Sequence, residues 1–214
     1  QLERVLAVVR FAASRTCVSI DTTSPEVAAA CLDAGAHAVN DVSCLADAEL
    51  ARVAAGSAAA YVLSHARAPQ EKMKGYGGWP AEDYDDVVED VIADWERNAA
   101  RCIEAGLPRE ALVMDPGLGF SKASRHSFEL LRRAAELALR VDVPVLIGAS
   151  RKSFLKLVDR DAAPTERLGA SLAAAVHAVR AGAKIVRVHD VRETRQALDM
   201  DVVLRTHSGH GGGV

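Results

Sequence analysis

The sequence predicts an α/β fold, a TIM-type (β/α)8 barrel with about six βα units present in this chain. Three observations carry that expectation. Six short apolar segments rich in β-branched residues alternate with amphipathic helical patterns, which marks a parallel sheet covered on both faces. Polar residues (Asp21, Asn40, His65, Asp115, Lys152 and His189) each stand at or just beyond the C-terminal end of a different segment. An open doubly wound sheet needs polar ligands only near its switch point, whereas a barrel gathers all its strand ends at one mouth. No G-x-G-x-x-G follows the first segment, which further disfavours a dinucleotide-binding sheet.

The chain opens on a helical pattern, Leu2, Val5, Leu6 and Val9, before the first strand segment, CVSID. Ser24-Pro25 supplies an N-cap and a first helical residue, and Gly35 closes that helix. AHAVNDV and AAYVLSH are the second and third strands. The longest connection, residues 66–83, is rich in Gly and Pro and is expected to lie over the mouth. A helix from about Tyr84 to Ala105 carries Val88, Val91, Ile92, Trp95, Ala99 and Cys102 on one stripe. After the strand ALVMDP, Phe128, Leu131, Ala135 and Leu139 repeat the helical stripe. PVLIGAS is the fifth strand, Leu168, Leu172, Val176 and Val179 mark another helix, and KIVRVHD is the sixth strand. Residues 1–207 read as a single barrel domain and 208–214 as a flexible Gly-rich tail. Eight units close such a barrel. With six visible and an opening at Gln1 already inside a helix, the domain is expected to be incomplete at its N-terminus.

Composition narrows the function classes. The chain has 214 residues, 50% of them hydrophobic, and a formal net charge of -3, enough for one sizeable core. Its Lys and Arg residues are scattered, so no nucleic-acid partner is expected. Cys17, Cys31, Cys44 and Cys102 show neither C-x-x-C nor zinc spacing and read as buried thiols in a reducing compartment. With no apolar run of about 18 residues and no signal-peptide pattern, the expectation is a soluble cytoplasmic protein without a membrane partner.

The candidate site residues follow from the strand ends. Asn40 interrupts an apolar strand, and a buried amide needs its hydrogen bonds met, as a heterocycle with mixed donors and acceptors would do. Asp115 begins MDPGLGFSK, where the proline turns the chain and two glycines let the backbone approach a ligand. A carboxylate is an acceptor-only fork that matches two adjacent N–H groups on a planar ring edge, as in an aminopyrimidinone. Lys152, in the stretch GASRKSF that begins at Gly148, can donate to a ring carbonyl or nitrogen or face a phosphate. Arg187 and His189 alternate with apolar residues, so both are expected on one face of the last strand. Arg187 suits a phosphate or the flat face of a heterocycle. Asp21 either caps the next helix or faces the mouth, and Ser24 is the better placed cap. His65 reads first as a structural histidine. The set suits a flat, nitrogen-rich ring carrying an anionic leaving group.

SIDTTSPEVA, NDVSCL, MDPGLGFSK, GASRKSF and VRVHDVRET, in this order and at these spacings, resemble dihydropteroate synthase. The resemblance implies a (β/α)8 barrel, usually a homodimer, acting in folate biosynthesis. The implied reaction condenses 6-hydroxymethyl-7,8-dihydropterin diphosphate with p-aminobenzoate, with Mg2+, releasing pyrophosphate. It also implies that Asp21, Asn40, Asp115 and Lys152 line the pterin pocket, and that Gly148 is a further substrate-binding residue. Arg187 would stack on the pterin and, with His189, hold the diphosphate. Phe120, Lys152 and Ser153 would lie near p-aminobenzoate. Asp21, Lys152, Arg187 and His189 are the implied catalytic residues.

The sequence departs from the family in three places. The first two strands and their loops, which bring the Mg2+-holding asparagine and an Arg-Pro segment, have no counterpart. LSHAR replaces the usual Met-His-Met, and Ser121 stands at a glycine position. Two other readings stay open: the pterin-binding barrel of a corrinoid-dependent methyltransferase, which SRKSF disfavours, and a non-catalytic pterin-binding remnant.

Overall fold

A computed structural model describes residues 2–68 and 83–206. The tail expected at 208–214 and nearly all of the long 66–83 connection lie outside the described residues. Six parallel strands occupy the six segments read from the sequence: β1 (Ser19–Asp21), β2 (Ala38–Asp41), β3 (Ala60–Ser64), β4 (Leu112–Asp115), β5 (Leu146–Ile147) and β6 (Ile185–Val186). Strands β1 to β4 pair in chain order, as do β5 and β6. A single parallel bridge between Met114 and Val145 links the four-stranded sheet to the two-stranded one, so the six strands follow one another in chain order. This is the strand order of a barrel wall.

The helices lie between the strands: α1 (Leu2–Ala13), α2 (Pro25–Asp33), α3 (Ala48–Gly56), α4 (Val87–Glu104), α5 (Ser124–Arg132), α6 (Ala134–Arg140), α7 (Leu168–Arg180) and α8 (Val191–Thr206). Their starts obey local chemistry. Ser24 Oγ accepts from Val27 N–H, and Pro25 takes the first helical position, so Ser24 rather than Asp21 caps α2. Asp47 and Asp86 cap α3 and α4 in the same way. The stripe read for α4 is buried throughout, with Trp95 at its centre donating Nε1–H to Leu63 O at 2.9 Å.

Two helical stripes differ from the sequence expectation. The one from Phe128 to Leu139 is not continuous, because the chain breaks at Arg133 between α5 and α6. Arg133 ties to Asp86 and Glu136, and Leu130, Leu131, Ala134 and Leu137 are buried, while Phe128 and Leu139 are exposed. In α7 the deeply buried face is Ser171, Ala174, Ala175 and Ala178, with Leu168, Leu172, Val176 and Val179 only half-buried. Small side chains let a helix lie close to the sheet, so bulk moved to its flanks. In α1 only Val9 is buried, and Leu2 and Val5 are exposed. Cys17, between α1 and β1, is exposed where a buried thiol was expected, while Cys31, Cys44 and Cys102 are buried.

Alternation along the strands sorts side chains into two layers. Val39, Tyr61, Leu63, Leu112, Met114 and Ile147 belong to the large core shared with the helices. Val62, Val113 and Leu146 form a separate inner cluster. The residues two positions beyond that inner cluster, at the carboxyl ends, are Ser64, Asp115 and Gly148. Register places Asp21 beside Asn40 and Ser64 beside Asp115.

Candidate functional site

Above the inner cluster lies a cavity of about 220 Å³ lined by Asp21, Asn40, Val42, Asp115, Phe120, Gly148, Lys152 and Arg187. Every strand except β3 contributes a residue at or just past its end, and the inward residue of β3, Ser64, instead holds Asp115. Seven of the eight are candidates named from the sequence, and Val42 was not among them.

The acids and cations of the cavity differ in environment. Asp115 is buried, accepts from Ser64 Oγ at 3.2 Å and from Gly117 N–H at 2.8 Å, and is thereby fixed at the cavity floor. Gly117 lies at φ +67 so close to β3 that a Cβ there would stand 1.9 Å from His65 O. The turn after Asp115 therefore needs that glycine. Lys152 donates to Leu118 O, and its ammonium stands 4.7 Å from the Phe120 ring centroid. Burial pushes the Lys152 pKa below the usual lysine range, with Asp115 opposing that shift. Arg187 reaches across the mouth to Asp21, Nη2 to Oδ2 at 2.9 Å, both side chains about half exposed.

The stretch GASRKSF divides its charges. Arg151 sits at φ +60 and turns its guanidinium away to Asp190, Nε to Oδ2 at 3.1 Å. Its carbonyl accepts from Arg167 and its N–H donates to Ser171 Oγ. That left-handed residue aims the next one, Lys152, into the cavity. Ser153 opens a 3-10 turn, Ser153–Leu157, is half-buried, and is not among the cavity-lining residues.

His189 is placed differently from the expectation. β6 ends at Val186, so Arg187 and His189 both lie beyond the strand on which they were expected to share a face. Arg187 N–H still donates to Ile147 O at 3.0 Å, which keeps its side chain inward. His189 is exposed, holds Ser150 Oγ through Nδ1 at 3.0 Å, and does not line the cavity.

Two neighbours of site residues face the other way. Asp41, next to Asn40, takes Ser43 N–H, Leu45 N–H and Tyr61 Oη–H at 2.7–2.9 Å and is wholly buried. It shapes the β2–α3 loop. His65, one residue past inward Ser64, turns to the helix layer, where Nε2 lies 3.1 Å from Asp94 Oδ2. Its other nitrogen meets Lys122 Nζ at 2.8 Å. Burial, with the Lys122 charge, pushes the His65 pKa down to about 3, and burial pushes Lys122 down to about 7. Lys122 was not singled out from the sequence, since a lysine reads as exposed by default.

Known proteins resemble this chain in sequence and in fold. A family model described as pterin binding enzyme matches residues 1–189. The dihydropteroate synthase of Escherichia coli (strain K12) is 38% identical over 200 residues, which span 92% of this chain and 68% of that protein. That of Mycobacterium leprae (strain TN) is 42% identical over 205 residues, 92% and 70% of the two chains. The solved dihydropteroate synthase from Stenotrophomonas maltophilia, with active site-bound imidazole, superposes with a TM-score of 0.88 at 37% identity. That superposition covers 97% of this chain and 77% of that one. The Thermus thermophilus enzyme in complex with 4-aminobenzoate gives 0.84 at 38% identity, covering 94% and 79%. The two solved structures share this chain's fold over nearly its whole length. The chain belongs to the pterin-binding enzymes and, among them, to the dihydropteroate synthases.

Proposed function

We propose that the cavity at the strand ends is where this chain joins 6-hydroxymethyl-7,8-dihydropterin diphosphate to p-aminobenzoate. The observation that carries the reading is the convergence of a fixed acceptor fork, Asp115, an inward amide, Asn40, and a half-buried ammonium, Lys152, on one small cavity. Asp115 presents both carboxylate oxygens toward the edge of an aminopyrimidinone, Asn40 supplies mixed donor and acceptor groups, and Lys152 donates to a ring carbonyl or nitrogen. Solved relatives were obtained with 7,8-dihydropteroate and with 4-aminobenzoate, which are ligands of this chemistry.

In the reaction the C–O bond to the diphosphate breaks, and pyrophosphate leaves with the electron pair. The arylamine nitrogen then forms the new C–N bond and gives up a proton to solvent. No covalent nucleophile is needed. Catalysis rests on placing the two substrates and on charges aimed at the developing ions. Arg187 pairs with the departing anion, and Asp21, freed from that arginine, faces the cationic carbon. Neither His189 nor Ser153 lines the cavity, and in this proposal His189 extends the anion clamp from outside it and Ser153, with Phe120, borders the arylamine. Among the described residues no three His, Cys, Asp or Glu side chains gather as a metal cage. A Mg2+ ion would arrive with the diphosphate and keep mostly phosphate and water ligands.

A homodimer is part of the same proposal. An apolar cleft of about 330 Å³ between α5, α7 and the 3-10 turn is bordered by exposed Phe128, Leu157 and Val158. No described helix is long and apolar enough to cross a membrane, and a cytoplasmic location is proposed with the folate pathway. The decisive experiment follows product formation. The chain should convert pterin diphosphate and p-aminobenzoate to 7,8-dihydropteroate, and Lys152→Ala and Asp115→Asn should each cut the rate by roughly 100-fold or more. Equal rates in the variants would refute the assignment.

A further inference from the structure

Lys122 is 1% exposed, and every direction of its ammonium is occupied: His65 Nδ1 at 2.8 Å, Phe120 O at 3.0 Å and His65 O at 3.4 Å. We propose that Lys122 is a positioning residue for the arylamine half of the reaction, acting through the Phe120 carbonyl, with neutral His65 as its anchor. The inference rests on the reading above that Phe120 borders p-aminobenzoate.

An ammonium only donates, so His65 Nδ1 must be a bare acceptor. The remaining ring proton then lies on Nε2 and is donated to Asp94 on α4 at 3.1 Å. Asp94 also takes Arg67 Nε–H at 2.8 Å. Arg67 lies 4.0 Å over the Tyr84 ring, and Tyr84 Oη–H donates to Ser121 O at 2.9 Å. The network thus returns to the segment from which it began. Its depressed basicity fits a buried lysine facing a neutral imidazole.

The segment so held is the wall of the cavity. Lys122 fixes the Phe120 carbonyl from the helix side, while Lys152 holds the Leu118 carbonyl from the cavity side. Between these two ammonium groups the Phe120 ring is presented to the cavity under Lys152. A charged group buried this deeply is costly unless its donors are met. Here the groups that meet them are the ones whose displacement would move Phe120.

The test separates a positioning role from a merely structural one. Calorimetry would measure p-aminobenzoate binding to the full chain saturated with 6-hydroxymethyl-7,8-dihydropterin, which lacks the leaving group and cannot react. Lys122→Met should weaken arylamine binding about tenfold while pterin affinity stays within about twofold and stoichiometry is unchanged. Lys122→Gln, which removes the charge with less change of polarity, provides the same comparison if the Met variant does not fold. Phe120→Ala should weaken the arylamine as well, and the double variant Phe120→Ala/Lys122→Met should be no weaker than Phe120→Ala alone. Unchanged arylamine affinity in a folded Lys122 variant, additive effects, or loss of stoichiometry with both affinities intact would overturn the inference. If Phe120→Ala leaves arylamine binding untouched, the reading beneath it fails first and the inference falls with it.

Discussion

Arg187 Nη2 lies 2.9 Å from Asp21 Oδ2, and this ion pair joins the first described strand, β1, to the chain just past the last, β6. Both side chains are about half exposed, so the pair is screened by water and contributes about 0–1 kcal/mol to stability. Its value lies in the site. Asp21→Asn is expected to leave the thermal midpoint within about 3 °C. Arg187→Ala should weaken binding of the pterin diphosphate by roughly tenfold or more through loss of a charge-assisted contact. Thermal melts and calorimetry on both variants check this.

Asn40 and Asp41 are adjacent but face opposite layers, and their substitutions should therefore separate function from stability. Asp41→Ala strands the buried donors of Leu45 N–H and Tyr61 Oη–H. Each orphan costs about 1–3 kcal/mol, so urea unfolding should show a loss of several kcal/mol. Asn40→Ala is expected to unfold near wild type and to lose pterin affinity.

Two glycines of the site should behave differently as alanines. At Gly117 a methyl would meet His65 O at 1.9 Å in a left-handed backbone, and Gly117→Ala should not yield a stable folded chain. At Gly148 the nearest atoms are Arg187 Cβ at 3.8 Å and Lys152 Nζ at 3.9 Å, ordinary contacts. Gly148→Ala should fold and bind the pterin more weakly because its methyl projects toward the cavity. Circular dichroism with ligand titration distinguishes the two.

The Lys122–His65–Asp94 chain sets a pH dependence of stability. His65 titrates near 3 when folded and near 6.5 when unfolded, so below about 6.5 the unfolded chain holds a proton that the folded chain refuses. Stability then falls on acidification by up to about 1.4 kcal/mol per pH unit for that proton. Lys122 is lowered to about 7 from 10.5, which makes stability rise with pH across that interval. Asp94, whose burial is outweighed by hydrogen bonds from His65 and Arg67, is held below the usual carboxylate range. Its contribution is present above about 3.8 and is lost in stronger acid. Urea midpoints should rise from pH 5.5 through 7 to 8.5. A flat or falling profile would contradict the buried network.

Much of this was legible in the sequence because strand parity is short-range. All six strands fell where apolar, β-branched segments met turn signals, and Asn40 and Asp115 were inward by the same period that buried Val62 and Val113. His65 obeys that parity too, since it follows inward Ser64 and so faces outward. What was not legible depends on distant partners. The break at Arg133 needs Asp86, which is 47 residues away in sequence. The choice of the alanine face in α7 depends on how closely that helix approaches the sheet. Lys122 gives no local sign of burial, because His65, 57 residues away in sequence, meets it only after β3 and β4 pair.

The central claim is that the inward strand ends form a pterin pocket, and one titration tests it most directly. Pterin diphosphate with Mg2+ would be titrated calorimetrically into the wild-type chain, Asp115→Asn and the outward-facing control Arg52→Ala, whose pair with Glu49 lies on the exposed surface of α3. The account predicts saturable binding by the wild type and the control, and loss of about tenfold or more in affinity for Asp115→Asn. A folded chain that does not bind, or one that binds equally well without the Asp115 carboxylate, would contradict it.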